Sequence, residues 1–307
     1  MSEPLQAVAL MGATGVGKST LALSLAERLD TSIVSCDSMQ VYRGLDIGTA
    51  KPDAVERARV PHFMIDCADI DETFSAARWA AGAAEAIRYE NTAGRRPIIT
   101  GGTGLYLRAL LEGFAEIPPE RETVRERLAA QAASEGAPAL HARLREVDAA
   151  TAGRLASNDT QRILRALSVY ESSGVPLSEW QRRGRAIGCR IDCPVFVLEL
   201  PREALRKRLA QRFHVMIDAG WLDEVRWLMA QGVDDSHPAM RAVGYRQLIR
   251  HLRDECSLKA AVEAGITATR RYAKRQGTWF RYQAAGATFG DAATIGRTMT
   301  EACTTWV

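Results

Sequence analysis

Gly12-Ala13-Thr14-Gly15-Val16-Gly17-Lys18-Ser19 is the stretch whose residue types and spacing speak most directly of chemistry. Its three glycines let backbone N–H groups turn inward around phosphate oxygens. A helix starting here aims its positive end at the same anion. Lys18 adds a mobile cation, and the Ser19 hydroxyl can bind a phosphate oxygen or Mg²⁺. The apolar run Ala7-Val8-Ala9-Leu10-Met11 precedes the glycines and an amphipathic segment follows them, the strand–loop–helix setting of a P-loop. A P-loop binds phosphate but does not name a reaction.

Other residues narrow it. There is no Asn-Lys-x-Asp stretch of the kind that reads a guanine base, and Phe63-Met64-Ile65-Asp66 is only a loose candidate for the Mg²⁺-holding strand of a motor ATPase. Small P-loop transferases remain: kinases of nucleotides or metabolites, and relatives acting on other diphosphates. Asp37 lies where a strand meets its loop, the usual substrate crevice of a parallel sheet. A carboxylate there can accept a proton, although a cap or turn Asp is the simpler reading of the residue alone. Thr103 lies in a Gly-rich turn, where its hydroxyl would ordinarily cap the next helix. Arg208 and Arg212, four residues apart, share a helical face, and a guanidinium fork can grip two phosphate oxygens. Lid arginines of nucleotide kinases have similar spacing, so this pair alone does not choose between readings.

The elements that must position these groups follow from apolar periodicity. Strands are expected at 7–11, 32–35, 63–65, 97–100 and 194–198, and helices at 19–29 and 74–89, with Leu21, Leu25 and Leu29 on one face of the first. Such alternation implies an α/β fold, a P-loop NTPase-like parallel sheet flanked by helices. Near Phe114-Ala115-Glu116-Ile117-Pro118-Pro119 the pattern changes, and 122–188 reads as helix throughout. The simplest account is a discontinuous catalytic core, 1–120 and 191–307, interrupted by an all-helical domain at 121–190. After Pro201 the chain reads as helical to about Tyr282. The helix expected to open at Asn158, with Gln161 three residues on, has a capping-box-like start. Ile163, Leu167 and Tyr170 should face its core, leaving Gln161, Arg162 and Arg165 outside.

Composition sets limits. No apolar run reaches the roughly 20 residues that span a bilayer, and Met1-Ser2-Glu3-Pro4 does not begin a secretory signal, so a cytoplasmic protein is expected. The six cysteines are scattered apart from Cys189 and Cys193, too few paired ligands for a zinc site. Net charge is only +3, but residues 237–282 hold ten Lys or Arg against three Asp or Glu, a local +7 that leaves −4 elsewhere. A basic block on a near-neutral body suits a polyanion, or else a solvated arginine-rich helix. Within it Arg270, Arg271, Lys274, Arg275 and Arg281 are interleaved with Tyr272, Trp279 and Phe280. Cations can meet phosphates and rings can stack on splayed bases, though such rings equally serve a core.

Several longer stretches go further. Ser35-Cys36-Asp37-Ser38-Met39-Gln40-Val41-Tyr42-Arg43-Gly44-Leu45-Asp46-Ile47-Gly48-Thr49-Ala50-Lys51-Pro52 resembles the bacterial tRNA dimethylallyltransferases, the tRNA isopentenyltransferase family. The resemblance continues, in family order, through Gly101-Gly102-Thr103-Gly104-Leu105-Tyr106, the segment 158–167, Gln211-Arg212-Phe213-His214, the segment 239–247, and 272–281. Eukaryotic members carry a C-terminal zinc finger; this chain resembles the shorter bacterial form.

The resemblance implies transfer of a dimethylallyl group from dimethylallyl diphosphate to N6 of adenosine 37 in tRNAs that read codons beginning with U. Residues 12–19 would hold the diphosphate with Mg²⁺, to which Ser19 is the candidate ligand, and an ATP-binding label goes with the same loop. Asp37 would be the general base, with Thr103 and Arg212 at the leaving diphosphate. Contact with the tRNA anticodon stem-loop is implied for Asp37, Ser38, Met39, Gln40 and Thr103, for Arg125, and for Gln161, Arg162, Ile163, Leu164 and Arg165. It is also implied for Arg241, Ala242, Val243, Gly244, Tyr245 and Arg246, and for Lys274, Arg275, Gln276, Gly277, Thr278, Trp279, Phe280 and Arg281. A monomer with no membrane partner is expected. Two rival classes are a metabolite or nucleotide kinase using ATP, and a noncatalytic RNA-binding P-loop protein.

Overall fold

Successive residues of a strand point to opposite faces of its sheet, and here both faces are covered. Ala7, Ala9 and Met11 enter one apolar core with Val34, Cys36, Ile99 and Val197. Val8 and Leu10 enter a second, with Ile33, Ile98, Phe196 and Leu198. A sheet buried on both sides reads as continuous apolar runs, which is why these strands were visible in the sequence. The computed structural model describes residues 3–113, 115, 117, 118, 120–183 and 190–304.

The chain runs through strands Leu5–Gln6 (β1) and Val8–Gly12 (β2), helix Lys18–Arg28 (α1), strand Ile33–Cys36 (β3), helix Ala54–Arg59 (α2) and strand His62–Phe63 (β4). Helix Ala76–Thr92 (α3), strand Ile98–Gly101 (β5) and helix Gly104–Glu112 (α4) follow. Five helices come next: Glu122–Glu135 (α5), Ala137–Val147 (α6), Ala149–Ala152 (α7), Thr160–Ser173 (α8) and Leu177–Arg182 (α9). Strands Ile191–Asp192 (β6) and Val195–Leu198 (β7) lead to helices Arg202–Asp218 (α10), Trp221–Ala230 (α11), Tyr245–Leu252 (α12) and Leu258–Gln283 (α13). Strand Thr288–Gly290 (β8) and helix Ala292–Thr304 (α14) complete the order.

Six strands form one sheet in the order β4-β3-β5-β2-β7-β8, every pair parallel. β2 is central, with Leu10 opposite Thr100 of β5 and Phe196 of β7. The P-loop therefore leaves the middle of the sheet at the carboxyl ends of the strands, where open α/β sheets bind ligands. β1 and β6 form a separate parallel pair.

The chain divides into two compact units, 1–111 with 189–307, and 112–188. The second is helical throughout its described residues and has its own core of Leu128, Leu140, Leu144, Ala152, Ile163, Ala166 and Leu167.

Local chemistry moves several expected boundaries. α3 starts at Ala76 because the Ser75 hydroxyl accepts from Arg78 N at 3.1 Å. The strand expected at 63–65 stops at Phe63, since Met64 and Asp66 take left-handed backbone, φ 61° and 52°. Asp66 is no Mg²⁺ ligand of a motor ATPase: its carboxylate pairs with Lys51 and Arg57, each at 2.7 Å. α8 is capped by Asp159 rather than opening at Asn158, with Arg162 N reaching the Asp159 carboxylate. β8 and α14 lie beyond the last element that periodicity suggested. Cys193 is paired with no other cysteine, and Cys189 lies outside the described residues. Among the described residues no cluster of three His, Cys, Asp or Glu could hold a metal, and no helix is long and apolar enough to cross a membrane.

Candidate active site

Between β2 and α1 the backbone makes the phosphate cradle. Gly15 and Gly17 adopt φ 82° and 107°, a region L side chains rarely enter. A Cβ on Gly15 would stand 2.5 Å from Leu209 of α10. Lys18 begins α1, and its ammonium donates to Ala13 O at 2.7 Å, folding the side chain back over the loop. Burial lowers the Lys18 pKa to about 7; Asp37 works against that shift, and Arg212 reinforces it. Lys18 is thus a cation held ready for an anion that restores its charge.

The end of β3 supplies Asp37. Its carboxylate accepts from Met39 N at 2.9 Å, fixing the turn, and it lines the crevice. The loop that follows is braced throughout. Gln40 accepts from the Ser35 hydroxyl at 2.8 Å and donates to Thr49 O and Ala50 O, each at 3.2 Å. Lys51 is almost fully buried and pairs with both Asp46 and Asp66. Trp79 of α3 donates to Ser35 O at 2.8 Å. The long stretch from 35 to 52 is therefore a rigid wall whose internal bonds use most of its polar groups.

Thr103 stands behind Asp37. Its hydroxyl accepts from Ser38 N at 3.1 Å instead of capping α4, and its N–H donates to Cys36 O at 3.1 Å. It lines neither of the cavities that contain Asp37. Arg212 of α10 reaches the crevice; burial lowers its pKa and Asp37 partly offsets this. Arg208, one turn earlier, places its guanidinium 3.2 Å from where a Cβ on Gly17 would be. Arg208 thus belongs to the phosphate cradle, which its helical spacing alone did not decide.

Gln276 of α13 was expected at tRNA, and the structure corrects this. Its side chain is buried, accepts from Thr14 N at 2.9 Å and donates to Gly102 O at 2.9 Å. Both ends are spent joining the P-loop to the turn after β5. Tyr245, also expected at tRNA, is 1% exposed and donates to Glu224 at 2.6 Å. Ile163 and Phe280 are wholly buried, and Trp279 packs on Gly104 and Phe280. The side chains of Ile163 and Phe280 pack inside the fold, while Tyr245 and Gln276 also border the cavities described next.

Two cavities meet at Asp37. One, about 340 Å³, is the phosphate cavity, bounded by Thr14, Gly15, Lys18, Ser19, Arg208 and Arg212. The other, about 310 Å³, is walled by Met39, Gly48, Phe213, Met216, Trp221, Val243 and Tyr245, and also by the charged Arg241 and Arg275. Thr14, Asp37, Thr49, Arg212 and Tyr272 border both. Burial, with Asp37 adding to it, pushes the Tyr272 hydroxyl up to about 12, so it stays protonated beside the carboxylate. A larger cavity of about 850 Å³ lies beyond Ala13 and Val16 but includes none of Lys18, Asp37 or Arg212.

The donor set suits Mg²⁺ only as an ion carried by phosphate. Ser19 and Asp37 offer hard oxygens on the phosphate cavity, and Mg²⁺ usually keeps several waters and substrate phosphate oxygens.

Of the basic block, Arg250 pairs with Glu255, Arg253 with Asp235 and Arg281 with Glu199. Among the described residues no carboxylate pairs with Arg241, Arg246, Arg271, Lys274 or Arg275. Arg275 instead lies over the Tyr272 ring, 5.7 Å from its centroid. In the helical unit Gln161, Arg162 and Arg165 are exposed, as expected, with Arg162 paired to Asp159 and Arg165 to Glu120. Arg125 pairs with Glu122 at 2.5 Å.

Residues 40–283 match the model of a family described as IPP transferase. The tRNA dimethylallyltransferase of Syntrophobacter fumaroxidans is 48% identical over 90% of this chain and 81% of its own. That of Halorhodospira halophila is 48% identical over 94% and 93%. Among solved structures, the full-length tRNA isopentenylpyrophosphate transferase of Bacillus halodurans superposes with a TM-score of 0.68 at 33% identity, covering 98% of this chain and 97% of that one. A eukaryotic dimethylallyltransferase acting on tRNA gives 0.76 at 27% identity, over 94% and 74%. With its P-loop α/β core, and with Asp37 set where two cavities join, this chain belongs to the IPP transferase family.

Proposed function

We propose that the protein transfers a dimethylallyl group from dimethylallyl diphosphate to N6 of adenosine 37 in tRNA. The observation that carries this is the position of Asp37 where a cationic phosphate cavity joins a second cavity with both apolar and charged walls. A diphosphate suits the first, on the P-loop N–H groups, Lys18, Arg208 and Arg212. Its hydrocarbon tail and the flipped adenine suit the second. Unstacking the base costs a few kcal/mol, offset by contacts in the pocket.

As the N6 lone pair forms a bond to the allylic carbon, the carbon–oxygen bond breaks and its electrons leave on the diphosphate. Lys18 and Arg212 stabilise that charge. The Thr103 hydroxyl, which borders neither cavity, accepts from Ser38 N and so holds the turn that carries Asp37. Asp37 takes the N6 proton. Mg²⁺, bound through Ser19 and the phosphate oxygens, would neutralise further charge on the leaving group. Arg241, Arg246, Lys274 and Arg275, which meet no carboxylate among the described residues, suit RNA phosphates, and a tRNA substrate fits a cytoplasmic enzyme.

Incubating the protein with labelled dimethylallyl diphosphate and an unmodified tRNA transcript tests this. Label should appear in N6-(dimethylallyl)adenosine after nuclease digestion, and not in a transcript with guanosine at position 37. Phosphoryl transfer from ATP to a small acceptor, with no label in tRNA, would establish a kinase instead.

A further inference from the structure

One wall of the second cavity is built as a fixed stop. Trp221, 2% exposed, opens α11 and lines the cavity. Its indole is gripped from two sides by glycines. A Cβ on Gly48 would stand 2.0 Å from Trp221 Nε1, and one on Gly244 would stand 2.1 Å from the far edge of the ring. Gly244 also adopts φ 92°. Phe213 packs on the same ring at 4.8 Å and Tyr245 at 5.4 Å. An indole held this way has no rotamer to retreat into.

Glu224, one turn after Trp221 on α11, ties the glycine-bearing loop in place. It accepts from three successive backbone N–H groups, Asp46 at 2.7 Å, Ile47 at 2.6 Å and Gly48 at 3.0 Å, and from the Tyr245 hydroxyl at 2.6 Å. One carboxylate thus bonds the loop after β3 and α12 to its own helix. Charge-assisted bonds of this kind are roughly twice as strong as neutral ones.

Resting on the transfer reaction proposed above, we propose that Trp221 sets the length of the donor's hydrocarbon, admitting one five-carbon unit and excluding two. The cavity of about 310 Å³ is at the small end of ligand pockets, which run from roughly 300 to 1,000 Å³. It must seat an adenine and the reacting tail together. A second isoprene unit adds five carbons that have to displace the indole, and the two glycines and Glu224 prevent it from moving.

The test compares dimethylallyl and geranyl diphosphate on the wild-type protein, Trp221→Ala and Trp221→Phe. Dissociation constants of both diphosphates are read alongside kcat/KM for transfer to tRNA, with circular dichroism reporting the fold. Wild type should prefer the shorter donor in both measures. Trp221→Ala should reduce that preference by about tenfold or more, since even one methylene of misfit changes selectivity by roughly 10–200-fold. Trp221→Phe, which keeps a ring in the core and is the measure should the Ala variant unfold, should reduce it less. Equal use of both donors by wild type, or an unchanged preference in a folded variant, overturns the proposal. Absence of transfer to tRNA from dimethylallyl diphosphate would overturn the reaction instead, while the two dissociation constants still report on the wall.

Discussion

The two cavities that share Asp37 are assembled in opposite ways. The phosphate cavity takes its backbone donors from one contiguous run, Gly12 to Ser19, to which Arg208 and Arg212 of α10, the Gln276 bridge and the ends of β3 and β5 are added. The second cavity takes its walls from six separated segments: the P-loop, the loop after β3, α10, α11, the stretch leading into α12, and α13. The first binds through backbone N–H groups that any sequence would have, provided glycine permits the turn. The second depends on shape as well as charge, and its shape depends on Glu224 and on Trp221 being held between Gly48 and Gly244. Phosphate is thus met mainly by one local run and shape is set by tertiary assembly, with the reacting carboxylate at the boundary.

The largest expected effect that separates them is Lys18→Ala. It should reduce kcat/KM for the diphosphate donor by about 10²–10³-fold, the usual consequence of losing one stabiliser of developing charge, while tRNA affinity stays close to wild type. The same residue gives the phosphate cavity its pH dependence. Lys18 has a pKa near 7 in the free protein, so raising the pH through that value removes a cation that the donor needs. Inorganic diphosphate should bind progressively more weakly from pH 7.5 to about 9, measured calorimetrically, and Lys18→Ala should abolish most of that slope. A slope that persists in the variant would place the titrating group elsewhere.

Gln276→Leu should have an intermediate effect and would sharpen the same contrast. It leaves Thr14 N and Gly102 O without their side-chain partner, at about 1–3 kcal/mol for each buried group left unsatisfied. Thermal stability and diphosphate affinity should both fall, with little change in tRNA affinity. A variant with normal stability and impaired tRNA binding would restore Gln276 to the RNA face.

How much of this was visible beforehand follows from the same division. The P-loop, the strands of the doubly covered sheet and the +7 block could be read because each depends on contiguous residues. Asp37 and Arg212 emerged only through family resemblance, because a lone Asp after a strand has many uses. Arg208 over Gly17, the Gln276 bridge and the Glu224 clamp depend on residues up to 262 positions apart, which spacing along one chain does not encode. The burial of Phe280 and Gln276 could have been read from α13, where Ile266, Ala273, Gln276 and Phe280 form one helical stripe. The basic, polyanion-like composition around them hid that stripe. β8 is three residues long and half exposed, giving periodicity too little to work on.

The smallest effect concerns the basic surface. Lys274 and Arg275 are exposed and meet no carboxylate among the described residues. Replacing both with Ala should weaken tRNA binding and flatten its dependence on log salt by roughly 0.7 per lost contact. An unaltered salt slope would mean that these cations only solvate α13.

The most direct test of a proton acceptor at the junction is Asp37→Asn, compared with wild type in single-turnover prenyl transfer with donor and tRNA both saturating. The amide preserves size and can still accept from Met39 N, so the fold and both affinities should survive. The rate should fall by about 10²–10⁴-fold, the usual contribution of a general base. A wild-type rate in Asp37→Asn, with both substrates bound normally, would contradict the assignment of proton transfer to Asp37.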